Sequence, residues 1–157
     1  MFGLFNTRDI EHPQIGTLKW RRGRWEGSLP LPELGTVRIL IGGSKKGLLP
    51  EAEADTLRLA GVVLTWKAQI AQALFDHAEP YIAASDAEPH LGQNTINIQD
   101  AAAAWDKASL QAVVVEPMDG VMTTELCFTT AWDEEHTLGA RFQRGQWLEL
   151  CGSTLVP

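Results

Sequence analysis

Cysteine is scarce in this chain. Only Cys127 and Cys151 occur among 157 residues, and neither belongs to a C-x-x-C pair. That spacing excludes a zinc ribbon or a thioredoxin-like redox motif. Basic residues are few as well: thirteen Lys and Arg stand against twenty Asp and Glu, for a net charge of −7 and a pI near 5.0. An excess of that sign disfavours a nucleic-acid or membrane-surface binder, because phosphate affinity comes largely from clustered Lys and Arg. No apolar run approaches the length of a bilayer span. The opening Met1–Phe5 is cut short by Asn6, Thr7, Arg8 and Asp9 and is too brief for a signal-peptide core, so a cytoplasmic location is expected. The chain also lacks G-x-S-x-G, H-E-x-x-H, the EF-hand loop and the P-loop, so no catalytic residue, metal ligand or cofactor is assigned.

What is present fits one globular domain over 1–157, with 45% apolar and 21% charged residues. Residues 1–14 read as an irregular arm or a short strand. Gly16 to Ser28 reads as a hairpin turning at Arg22-Gly23, which would set Trp20 opposite Trp25. Pro30, Pro32 and Gly35 mark a break before the β-branched strand Thr36–Ile41, and Gly42–Gly47 is a loop. Pro50 suits a first helical turn, and Glu51, Glu53 and Asp55 suit the positive end of the helix dipole. From about Glu51 to Ala78, Val63, Trp66, Ile70, Ala73, Leu74 and His77 recur at helical spacing, with Gly61 a candidate break. Pro80 and the Ser85–Gly92 stretch should end the helix. Asp100 caps a short helix to Ala108. Leu110–Glu116 is a strand ended by Pro117–Gly120.

The last quarter reads as a three-strand meander. A three-residue loop, Gln143-Arg144-Gly145, would set Ala140 opposite Leu148 and Leu138 opposite Leu150. Cys127 and Cys151 then lie two strand spacings apart, roughly 9–10 Å, which is too far for a disulfide. The expected architecture is α+β: a mainly antiparallel sheet of about six strands packed by one long helix and one short helix.

Four places could carry chemistry. The corner Asp133-Glu134-Glu135-His136 offers hard ligands and acid–base groups, although neighbouring loop residues rarely converge on one ion; its plain reading is a polar turn. Gly42–Gly47 sits where a phosphate could bind, but Glu51 and Glu53 would repel it. Lys19, Arg21, Arg22 and Arg24 interleave with Trp20 and Trp25, a pattern used by single-strand binders, yet here it is one small basic tip on an acidic chain. His77 with His136 is the best metal pair on offer. Six tryptophans are many for this length, and one or two on an open sheet face could anchor a partner. The candidate binding residues are Trp132, Asp133, Glu135, His136 and Trp147.

The block Trp132-Asp133-Glu134-Glu135-His136-Thr137-Leu138-Gly139, with Phe142, Gly145 and an apolar last strand, resembles a family of uncharacterised bacterial domains. Those end in a W-D-x-E-H-G-L-G hairpin, and similar domains occur among toxin-immunity genes. The match covers about thirty residues, and Thr137 departs from the family's usual glycine. The resemblance implies a small cytosolic bacterial protein and carries no activity with it. The functional expectation is a non-enzymatic protein-interaction domain, of which an immunity protein blocking a basic toxin is one form. The alternatives are a metal-assisted hydrolase using Asp133, Glu135 and His136, or a small-ligand-binding domain using the sheet's open face. A basic protein partner is expected, and neither nucleic acid nor membrane; nothing in the sequence selects an oligomeric state.

Overall fold

A computed structural model describes residues 7–87 and 96–155. The chain before Thr7 and the 88–92 part of the proposed helix terminator lie outside the described residues. Four strands come first: β1 (Ile10–His12), β2 (Gly16–Arg21), β3 (Arg24–Leu31) and β4 (Gly35–Ile41). A two-rung ribbon follows, β5 (Gly43–Ser44) with β6 (Gly47–Leu48), inside the segment read as a loop. The helices are α1 (Pro50–Val62), α2 (Lys67–Ala87) and α3 (Ala101–Asp106), with a single 3₁₀ turn at Val63–Trp66 joining the first two. The last four strands are β7 (Ala108–Met118), β8 (Val121–Thr130), β9 (Leu138–Gln143) and β10 (Gln146–Gly152).

Among the described residues the sheet has eight strands, not about six, in the order β1-β2-β3-β4-β7-β8-β9-β10. Each half is an antiparallel meander, and the halves join through a parallel β4–β7 ladder. A parallel pair needs a long crossover, which the helical segment supplies. β1 is three residues long, too short for alternation to show in sequence. β3 runs through Pro30, which pairs with Thr36, so that proline does not break the strand.

The turns follow from local stereochemistry. At Arg22-Gly23, Asp119-Gly120 and Arg144-Gly145 both residues have positive φ, the conformation whose twist matches a two-residue hairpin. Trp20 stands opposite Trp25 as expected, the rings edge to face at 5.4 Å. The three-residue loop at 143–145 is not formed. Gln143 pairs directly with Gln146, and the extra residue is absorbed as a bulge at Leu148. The bulge shifts the alternation, so Ala140 faces Leu150 rather than Leu148, and Leu138 faces Gly152.

All three helices cover one sheet face. Val63, Trp66, Ile70 and Leu74 pack with Ile39, Ile41, Val113, Val115, Leu126 and Phe128 in one buried cluster. Gly61 lies within α1 and the break falls just after it, at the 3₁₀ turn. α2 continues past Pro80 to Ala87. Proline leaves the carbonyl of Asp76 without its helical donor. Both residues are on the exposed side, where water can serve that carbonyl instead. Asp100 caps α3 through its Oδ1, which accepts from the Ala103 amide at 2.8 Å. No described helix is long and apolar enough to cross a membrane.

Candidate functional site

The corner after β8 is ordered by α2. Tyr81 donates to Asp133 Oδ2 at 2.9 Å, and Asp133 Oδ1 lies 2.8 Å from His136 Nδ1. Beside it, the Trp132 indole N–H donates to His77 Nδ1 at 3.0 Å. An indole nitrogen can only donate, so His77 Nδ1 carries no proton in this contact. Trp132 and Asp133 are buried, whereas Glu134 and Glu135 are exposed and His136 is 66% exposed. Burial raises the Asp133 pKa, but the hydrogen bonds from His136 and Tyr81 outweigh it and hold the carboxyl below its ordinary value. Asp133 in turn raises the pKa values of His136 and Tyr81, chiefly by accepting their hydrogen bonds.

Of the five residues singled out in the sequence, the fold brings together Trp132, Asp133 and His136. Glu135 stays exposed near them without entering the network. Trp147 is elsewhere: it pairs with Phe142 toward the far end of β9 and packs edge-on against that ring at 5.3 Å. His77 and His136 do not form a metal pair, because Trp132 engages the first and Asp133 the second. Among the described residues no three His, Cys, Asp or Glu side chains gather as a metal site. A cavity of about 300 Å³ beside the corner is lined by Ile98, Lys107, Trp132 and Glu134 and does not include Asp133, Glu135 or His136. Thr137 does not take a positive φ, so a threonine fits where the resembling family has glycine.

The His136 shift has a direct test. A raised histidine pKa stabilises the fold below the unfolded value, and that contribution fades as pH rises through the folded value. Titration of the His136 ring by NMR should give a pKa above that of a free histidine, and Asp133→Asn should bring it down. A His136 value unmoved by Asp133→Asn would contradict the pairing.

The opposite sheet face carries more charge than the sequence suggested. Alternation places Arg21, Arg24, Glu26, Arg38, Glu116, Glu125, Arg141 and Glu149 there. Glu26 grips Arg38 through its Nε at 2.9 Å, and Glu116 grips Arg24 through its Nε at 2.8 Å. Glu125 has no exposed surface. It accepts from Arg141 Nε at 2.7 Å, from the Thr154 amide and hydroxyl at 3.0 and 2.9 Å, and from Ser153 Oγ at 3.0 Å. Burial raises its pKa, but these donors outweigh that and hold it below the ordinary carboxylate value. Gly139, paired with Cys127 on one side and Cys151 on the other, makes the room: a Cβ there would lie 2.6 Å from Glu125 Oε2. Both thiols are free, and burial raises both of their pKa values. Leu155 closes over Leu40, Val114 and Cys127, an apolar island on this face.

The tryptophans of the first hairpin point the other way. Trp25 is buried in the main cluster and Trp20 packs against it, so neither can stack a base beside Arg21 or Arg24. Sequence reasoning missed the Glu125–Arg141 pair and the role of Arg38. The signal was there in β8, where Glu125 and Cys127 share one parity of the strand, but no alternation rule says what such a carboxylate will meet.

Compared with family models, curated proteins and solved structures, the chain matches none of them.

Proposed function

We propose that this chain is a non-enzymatic protein-binding domain whose helical side receives a basic partner, in the manner of an immunity protein. The observation that carries the reading is where the charge lies. On the open sheet face arginines and carboxylates are joined in pairs: Glu26 with Arg38, Arg24 with Glu116, and Arg141 with Glu125 and Glu149. The helical side instead presents Glu51, Asp76, Glu79, Asp86 and Asp106 to solvent, continued by Glu134 and Glu135 at the corner, and these outnumber the exposed Arg58 and Lys107 of the same side. A surface with an excess of one sign steers an oppositely charged partner and speeds its encounter. At the corner, Tyr81, Asp133 and His136 engage one another and His77 engages Trp132, so these groups serve to fasten α2 to the β8–β9 connection. That supports a binding role over the hydrolase reading, which needs Glu135 to converge with them.

Capture from native extract at low and high salt tests this. The reading expects a basic protein retained at low salt and largely released at high salt, since exposed charge pairs are screened. Retention of nothing, or retention indifferent to salt, would count against it.

A further inference from the structure

A cavity of about 650 Å³ opens on the sheet face away from the helices. Its walls are Arg21, Arg22, Arg24 and Arg38, and Leu40 with Leu155 forms an apolar part of the lining. Its size falls in the range of small-ligand sites. Glu26 is the one carboxylate in the lining, and it engages Nε and Nη2 of Arg38; behind the wall Glu116 engages Nε and Nη2 of Arg24, which leaves Nη1 of both guanidinium groups for a ligand. Arg21 and Arg22 have no carboxylate partner among the described residues and are exposed. The groove therefore keeps a surplus of positive charge in a chain of net charge −7.

Two features of the arrangement oppose stability. Arg21 and Arg24 are direct cross-strand partners on one face, where like charges destabilise a ladder. Arg22 holds φ at 51°, a conformation that favours Asn, Asp or Gly over a long side chain. Local choices that work against the fold are expected at functional sites.

We infer that this groove binds a small organic or inorganic polyanion of the phosphate or polycarboxylate class. Guanidinium groups match both chemistries through paired N–H donors. A nucleic-acid strand fits less well, because the hairpin tryptophans lie on the other side of the sheet. The site is independent of the helical surface and stands or falls apart from the protein-binding role.

Calorimetric titration of the purified protein with inorganic pyrophosphate and, separately, citrate at low ionic strength tests the groove. Each should show saturable one-to-one binding, with the tighter of the two naming the source chemistry. The variant Arg21→Gln/Arg22→Asn should bind at least tenfold more weakly while melting at the same temperature or higher, because it removes both local conflicts. Arg58→Gln, on the helical side, should bind as the parent does. No saturable binding of either anion overturns the inference. So does a double variant that binds unchanged, or a single-stranded oligonucleotide that displaces both anions at far lower concentration.

Discussion

Replacing Arg141 with alanine should cost about 3–5 kcal/mol of stability, the usual penalty for stranding a buried charge. Glu125 is fully enclosed, and among the described residues Arg141 is its one cationic partner, at 2.7 Å. The hydrogen bonds from Ser153 and Thr154 remain in the variant, but they do not neutralise a carboxylate. The double variant Glu125→Gln/Arg141→Met should cost clearly less than Arg141→Ala alone. The glutamine oxygen still accepts from Thr154, and no unpaired charge is left behind. Glu149→Gln removes only the exposed arm of the same network and should cost no more than about 1 kcal/mol. Urea unfolding with an unchanged slope reads all three. A loss below about 1 kcal/mol for Arg141→Ala would mean that Glu125 is protonated or solvated in the fold. The pH dependence has a fixed sign. A carboxyl held below its ordinary pKa lends stability above that value, and the contribution is lost as pH falls through the lower, folded value. Glu125→Gln should therefore flatten the acid limb of the stability curve.

Phe142→Ala should lose a similar amount, about 3–5 kcal/mol, for a different reason. The ring is 1% exposed. It stacks on Trp66 at 4.0 Å, with 12° between planes, and meets the edge of Trp147. Truncation removes both aromatic contacts and leaves a hole that two rigid indoles cannot fill. At about 2–4 °C per kcal/mol for a chain of this size, melting should fall by about 10 °C. Leu148 offers the contrast. It is a residue away from Trp147 but stands out at the bulge, 46% exposed, so Leu148→Ala should stay within about 0.5 kcal/mol. Equal losses from the two variants would contradict the placement of β10.

These two networks mark the boundary of what the sequence makes legible. The Trp20–Trp25 pair could be read directly, because Arg22-Gly23 sits between two alternating runs and the turn fixes the register. The long helix and the Asp100 cap were readable for the same kind of reason: spacing and capping act within a few residues. The β9–β10 turn was misread because a bulge at Leu148 and a three-residue loop both add one residue to the strand, and alternation alone does not say where it goes. Pro80 was misread as a terminator because its cost depends on which side of the helix it faces. The Glu125 site depends on strands β8, β9 and β10 together with Ser153 and Thr154, and Gly139 acquires its meaning only when that carboxylate lies across it. At the corner, the sequence pointed to Asp133 and His136. Tyr81, which binds Asp133, and His77, which binds the neighbouring Trp132, come from a helix about fifty residues earlier in the chain.

The open face and the helical face carry separate charge patterns, and that separation is the centre of the functional reading. The most direct test is capture from one extract by three forms of the protein: the parent, Glu51→Lys/Glu79→Lys, and Arg21→Gln/Arg22→Asn. The account predicts that a basic protein retained by the parent is lost with the helical reversal and kept with the arginine variant. Retention that survives the helical reversal, or disappears with the arginine variant, would contradict it.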